Sequence, residues 1–131
     1  MRRYLFLIVF IIFSVTGWAK GKDGYVVATS EAVRADAAWM KVVDALVKKH
    51  KADVIFYKEN IGELQKPLRQ LRPRFVAFVE KPEFLNREYV MEGHRMSRRV
   101  DEDIYADYLW GIITGFSAED AMRLVDRSRE P

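Results

Sequence analysis

Asp101, Glu102, Asp103 and Asp107 form the densest set of potential ligands in this 131-residue sequence. Loops rich in carboxylate oxygen attract hard cations, and Ca²⁺ takes six to eight such oxygens. Asp101, Asp103 and Asp107 are therefore a candidate calcium set, and no other cofactor is expected. The spacing lacks the central glycine and closing bidentate glutamate of a dedicated calcium loop. The plainer reading is a solvated acidic loop answering Arg95, Arg98 and Arg99 across a helix end.

Other chemistry is thinly supplied. His50 closes the run Lys48-Lys49-His50 and is expected to face solvent at a helix C-terminus. His94, within MEGHRMS, is expected on a helix rather than on a strand-end loop, where catalytic groups gather. A transition-metal site wants three or four convergent ligands, which two histidines do not provide. The sequence contains no cysteine, so it has neither a thiol nucleophile nor a disulfide. YVVATSEAVRAD lacks the glycine spacing of both the dinucleotide and the nucleoside-triphosphate loops. It also lacks the acidic pair that a phosphoacceptor domain would carry after its first strand. No catalytic residue is assigned.

The elements that must position these groups alternate. Tyr25–Thr29, Asp53–Tyr57, Phe75–Glu80 and Tyr108–Thr114 are short apolar runs suited to parallel strands. Between them, Asp36 can cap a helix reaching about His50, with Trp39, Val42, Val43, Leu46 and Val47 on its apolar side. Asn60 and Glu63 have the spacing of a capping box, and Pro67 should kink or delay the helix that follows. Pro82 can open a further helix through Tyr89 and Met96, weakened by Gly93. Gly115 turns the chain, Ser117 caps, and Ala121, Leu124 and Val125 should face the sheet. Tyr105, Tyr108 and Trp110 are expected to pack. Strands alternating with helices imply an α/β fold: three layers around a mostly parallel, Rossmann-like sheet of about four strands. Functional groups of such sheets lie beyond the carboxyl ends of the strands. Four strands make a small sheet, so the domain is expected to be incomplete.

Residues 1–19 begin with Arg2 and Arg3, continue through the apolar run Leu5–Phe13, and end in Gly17-Trp18-Ala19. A charged start, a short apolar core and a small-x-small exit mark a secretory signal. The domain is then 20–131, and the protein is expected to be secreted or periplasmic. Membrane contact is expected only through an uncleaved signal anchor. Residues 1–19 hold two of the 22 basic residues and none of the 19 acidic ones, leaving 20 against 19. That balance does not suggest a nucleic-acid partner.

One stretch carries a family likeness. Tyr105-Ala106-Asp107-Tyr108, then Ile112-Ile113-Thr114-Gly115, then Ser117-Ala118-Glu119-Asp120-Ala121 resembles the gingipain-type secreted cysteine peptidases, whose catalytic region is caspase-like. Phe116 stands where that family commonly has arginine. The resemblance implies the N-terminal part of a caspase-like peptidase domain acting on a peptide or protein substrate. The family's catalytic His and Cys would lie on later strand-end loops, so the piece would be inactive alone. The alternative is a non-catalytic exported α/β module that binds a ligand or a protein.

Overall fold

Runs of β-branched and aromatic residues form four strands: β1 (Tyr25–Ser30), β2 (Asp53–Tyr57), β3 (Phe75–Val79) and β4 (Leu109–Ile113). In the computed structural model, which describes residues 24–128, they make one sheet of order β2-β1-β3-β4. Every pairing is parallel, with Val27 opposite both Val54 and Ala77, and Phe78 opposite Ile112. The helices are α1 (Glu31–Arg34), α2 (Ala37–His50), α3 (Gln65–Leu71), α4 (Arg87–Met96) and α5 (Ala118–Arg127). Short 3₁₀ turns at Ile61–Leu64 and Pro82–Phe84 precede α3 and α4. This is a small α/β domain.

Alternation along the strands divides the core in two. Val26, Ala28, Ile55, Tyr57, Val76 and Phe78 face the 3₁₀ turn and α3 through Ile61, Leu64 and Leu68, and meet Met96 of α4. Val27, Ala77 and Val79 face the opposite way, against α1, α2 and α5 through Val33, Val42, Val43, Leu46, Ala121 and Val125. The β1-to-β2 connection therefore uses one face. The β2-to-β3 and β3-to-β4 connections run the other way across the sheet and use the other face, as one hand for all three crossovers requires. The strand order reverses between β1 and β3.

Local chemistry sets the element ends. Asp36 accepts hydrogen bonds from the backbone N–H groups of Ala38 and Trp39 at 3.1 and 3.4 Å and starts α2. Lys48, Lys49 and His50 occupy its last turn, where positive charge complements the helix dipole. Pro67 does delay a helix. The Asn60–Glu63 capping box opens a 3₁₀ turn, and α3 begins only at Gln65, placing the proline in its first turn.

Several sequence-based placements change. His50 is buried, 7% exposed, because its ring stacks flat on Tyr25 with centroids 4.2 Å apart. Leu124 is 45% exposed, and α5 covers the sheet with Ala121 and Val125, helped by the half-buried Ala118 and Met122. Tyr108 and Trp110 pack against the core, whereas Tyr105 is 72% exposed. Gly93 sits in α4 because a Cβ there would lie 3.3 Å from the Trp110 ring. Residues 1–19 fall outside the described residues. The membrane contact expected of this protein is corrected: among the described residues no helix is long and apolar enough to cross a membrane.

Candidate functional site

Ser30 ends β1, Tyr57 ends β2, and Glu80 follows the last residue of β3. Parallel pairing brings all three to the same edge of the sheet, at the strand-order reversal where open α/β sheets place their ligands. The Thr29 hydroxyl donates to the Val79 carbonyl at 2.8 Å and ties β1 to β3 just before that edge.

Glu80 is the centre of this group, and it is 1% exposed. The Ser30 hydroxyl donates to its Oε1 at 3.0 Å, and the Lys81 backbone N–H donates to the same oxygen at 2.8 Å. The Tyr57 hydroxyl donates to Oε2. With that proton committed, the Tyr89 hydroxyl of α4, 3.1 Å away, is the donor to Tyr57. Ser30 has a second task, since its oxygen caps α1 by accepting from the Val33 N–H at 3.2 Å. All three of Glu80's contacts are donors, so the carboxylate is held as an acceptor in a chain running Tyr89 to Tyr57 to Glu80. Burial, reinforced by the neighbouring Tyr89 and Glu80, pushes the Tyr57 phenol well above the usual tyrosine range. Burial raises Tyr89 as well.

Above this network opens a cleft of about 610 Å³, a size typical of small-molecule sites. Its floor includes Ser30, Tyr57, Glu80 and Tyr89, and its rim comes from the β2–α3 and β3–α4 loops. The β2–α3 rim is held firmly. The Glu63 carboxylate accepts from the backbone N–H groups of Lys58, Glu59 and Asn60 at 3.0–3.1 Å. Those bonds hold its carboxyl below the ordinary range. Asn86 fixes the other rim by capping α4, accepting from the Tyr89 N–H at 2.9 Å. Among the lining residues, Glu59, Glu80, Glu83, Glu88 and Glu92 outnumber Lys58 and Arg95. Arg95 is already paired with Glu92 at 3.1 Å. The cleft carries a net negative charge.

The residues expected from sequence lie elsewhere. Asp101, Asp103 and Asp107 do converge, with one oxygen from each inside a 4.8 Å group, an arrangement able to hold a metal ion. Asp101 and Asp103 are exposed and Asp107 is half-buried. Their oxygens also shape the loop: Asp101 accepts from Asp103 N–H, Asp103 from Tyr105 N–H, and Asp107 from Val100 N–H, at 2.7–3.0 Å. Among the described residues no ion pair joins this loop to Arg98 or Arg99, and Arg95 turns to Glu92 instead. His94 is exposed on α4, its ring 6.5 Å from that of Trp110. Glu80, Ser30, Tyr57 and Tyr89 had not been singled out from sequence. One signal was present, a charged residue closing the apolar run FVAFV. Comparison with family models, with curated proteins and with solved structures gave no match to the chain.

Proposed function

We propose that this chain is a non-catalytic, exported α/β module that binds a small ligand in the cleft beyond the carboxyl ends of β1, β2 and β3. The observation that carries this reading is the meeting of Ser30, Tyr57, Glu80 and Tyr89 at the strand-order reversal, beneath an open cleft. The absence of a thiol anywhere in the sequence, and of a glycine-rich phosphate loop after β1, favours binding over thiol-nucleophile and nucleotide chemistries. Export rests on the pattern of residues 1–19. A structural Ca²⁺ at Asp101, Asp103 and Asp107 would belong to their loop and not to the cleft.

The test is a screen of small polar ligands against the isotopically labelled chain, followed by nuclear magnetic resonance. Ligands should perturb Ser30, Tyr57 and Tyr89 together. Perturbation confined to residues 101–107, or peptide hydrolysis by the isolated chain, would overturn the reading.

A second reading is the N-terminal part of a caspase-like peptidase domain, built as three layers around a larger sheet. It is supported by the step from β4 through Gly115 to the Ser117-capped α5. The edge position of β4, whose Leu109 is 67% exposed, agrees with a sheet that continues.

A further inference from the structure

We infer that two copies of this chain pair through β4, edge to edge and antiparallel, about a two-fold axis at Gly111, joining their four-stranded sheets into one. The inference does not depend on what the cleft binds. The sheet has two edges, and they differ. β2 opens with the charge of Asp53, exposes none of its residues fully, and has the Arg34 guanidinium 4.7 Å from the centre of the Phe56 ring. Charges of this kind keep an edge from pairing. β4 reads LWGII, without charge or proline, and leaves Leu109 and Gly111 exposed. The Leu109 N–H donates to the Arg74 carbonyl at 3.0 Å, and the Ile113 carbonyl accepts from the Glu80 N–H at 3.3 Å. Residues 109, 111 and 113 therefore turn their backbone groups toward β3, and alternation turns those of Trp110 and Ile112 away from the sheet. Among the described residues no strand lies beyond them.

Three observations favour a second copy as the occupant. A Cβ at Gly111 would meet nothing within 4 Å, so the chain's own packing does not require glycine in the middle of this strand. Glycine inside a strand weakens it and often marks the close approach of another backbone. β4 is also self-complementary about that residue. An antiparallel register that sets Gly111 against its own copy places Trp110 against Ile112 of the second copy, and both have outward backbone groups. Each such pair exchanges two hydrogen bonds, while Gly111 falls in the closer, non-hydrogen-bonded kind of pair, with Cα atoms about 4.5 Å apart. The exposed Leu109 then lies beside Ile113 of the second copy on the same face. Finally, the apolar surface is gathered on this flank. Five of the eight large apolar side chains exposed among the described residues are Ile104, Tyr105, Leu109, Phe116 and Leu124. Antiparallel pairing carries Ile104 and Tyr105, ahead of β4, toward Phe116 of the second copy, which follows β4. Their exposed area is on the order of the 800 Å² that each partner of a stable pair buries.

The experiment is sedimentation velocity of the full chain over a range of concentrations, repeated for Gly111→Lys and Gly111→Glu. The full chain should dimerise. Each substitution enters open space in the single copy, so circular dichroism and melting temperature should match the parent. Like charges facing each other across the axis should weaken the dimer at least about tenfold. Mixing the two variants should restore it, because opposite charges then meet. Amide hydrogen exchange at Trp110 and Ile112 should be slow in the parent and in the mixture, and faster in either variant alone. A parent chain that stays monomeric at high concentration would overturn the inference, leaving β4 to a further strand of its own sheet. A dimer that both variants leave intact, variants that do not recover on mixing, or protection at β2 instead of at Trp110 and Ile112 would overturn it as well.

Discussion

Replacing Glu80 by alanine removes at once the acceptor for Ser30 Oγ, Tyr57 OH and Lys81 N–H. A hydrogen bond to a charged acceptor is worth about 1.5–3 kcal/mol, and its loss inside a protein leaves the donor unsatisfied. Two effects reduce the sum of three such bonds. Water can reach the donors through the cleft, and the cost of burying the charge disappears. The net loss should be about 3 kcal/mol, or roughly 10 °C in melting temperature for a domain of this size. Glu80→Gln keeps an oxygen for Ser30 and Lys81 and places an amide nitrogen where Oε2 accepted from Tyr57, so it should cost about 1–2 kcal/mol. Tyr57→Phe breaks the same bond from the other side and should cost about as much. The decisive measurement is the cycle of Tyr57→Phe, Glu80→Gln and the double variant, by urea unfolding followed by circular dichroism with unchanged denaturant slopes. Because both single changes remove the same charge-assisted bond, the double variant should lose less than the sum of the two, a coupling of about 1–2 kcal/mol. Strict additivity would refute the idea that the phenol and the carboxylate act as one buried unit.

Three further outcomes follow from local geometry. Gly115→Ala would place a Cβ 2.5 Å from the Asp120 Cβ and 2.8 Å from the Ala121 backbone nitrogen. It should destabilise the domain by about 1–3 kcal/mol in chemical unfolding, and an unchanged midpoint would show that the β4–α5 turn is looser than its contacts imply. Lys51 ends α2 in the left-handed region, at φ 49°. Lys51→Gly should therefore leave stability unchanged or raise it by up to about 1 kcal/mol, read as the melting temperature. Tyr57, Tyr89 and Tyr108 are all held above the ordinary tyrosine range, chiefly by burial. A raised folded value means that stability is fully present below the unfolded tyrosine pKa, about 10, and is lost as pH rises above it. Tyrosinate absorbance followed alongside circular dichroism should show these three ionising only with unfolding, and their ionisation in a still-folded domain would contradict the burial.

The scaffold was legible because its signals are local and mutually consistent. Asp36 before a run with helical periodicity and Ser117 before another each act within three residues, through a side-chain oxygen that meets the next free N–H groups. Apolar runs such as DVIFY and FVAFV have little choice but a covered strand. Errors arose where burial depends on a distant partner. Nothing in Lys48-Lys49-His50-Lys51 reveals that Tyr25, at the start of β1, offers a flat ring to His50. Nor does the helical spacing of Leu124 reveal that α5 leans toward α2, where the Lys49 ammonium reaches the Val125 and Ser128 carbonyls.

The cleft was hidden for a related reason. Its four polar residues are separated by 27, 23 and 9 positions in sequence, and only the parallel register brings the strand ends together. The sequence draws attention instead to residues 101–107, where the acids are adjacent, yet there the carboxylates chiefly accept from their own loop's N–H groups. Clustering along the chain favours that kind of local closure, because an Asp finds the N–H two residues on before it finds anything distant. A lone glutamate at the end of an apolar strand has no such escape. Val79 before it enters the core, its own backbone N–H is engaged with the Ile113 carbonyl, and its charge is met by groups that other strands deliver. In a parallel sheet those groups arrive at the carboxyl edge, so a single acid closing an interior strand is a better pointer to a site than four acids within seven residues.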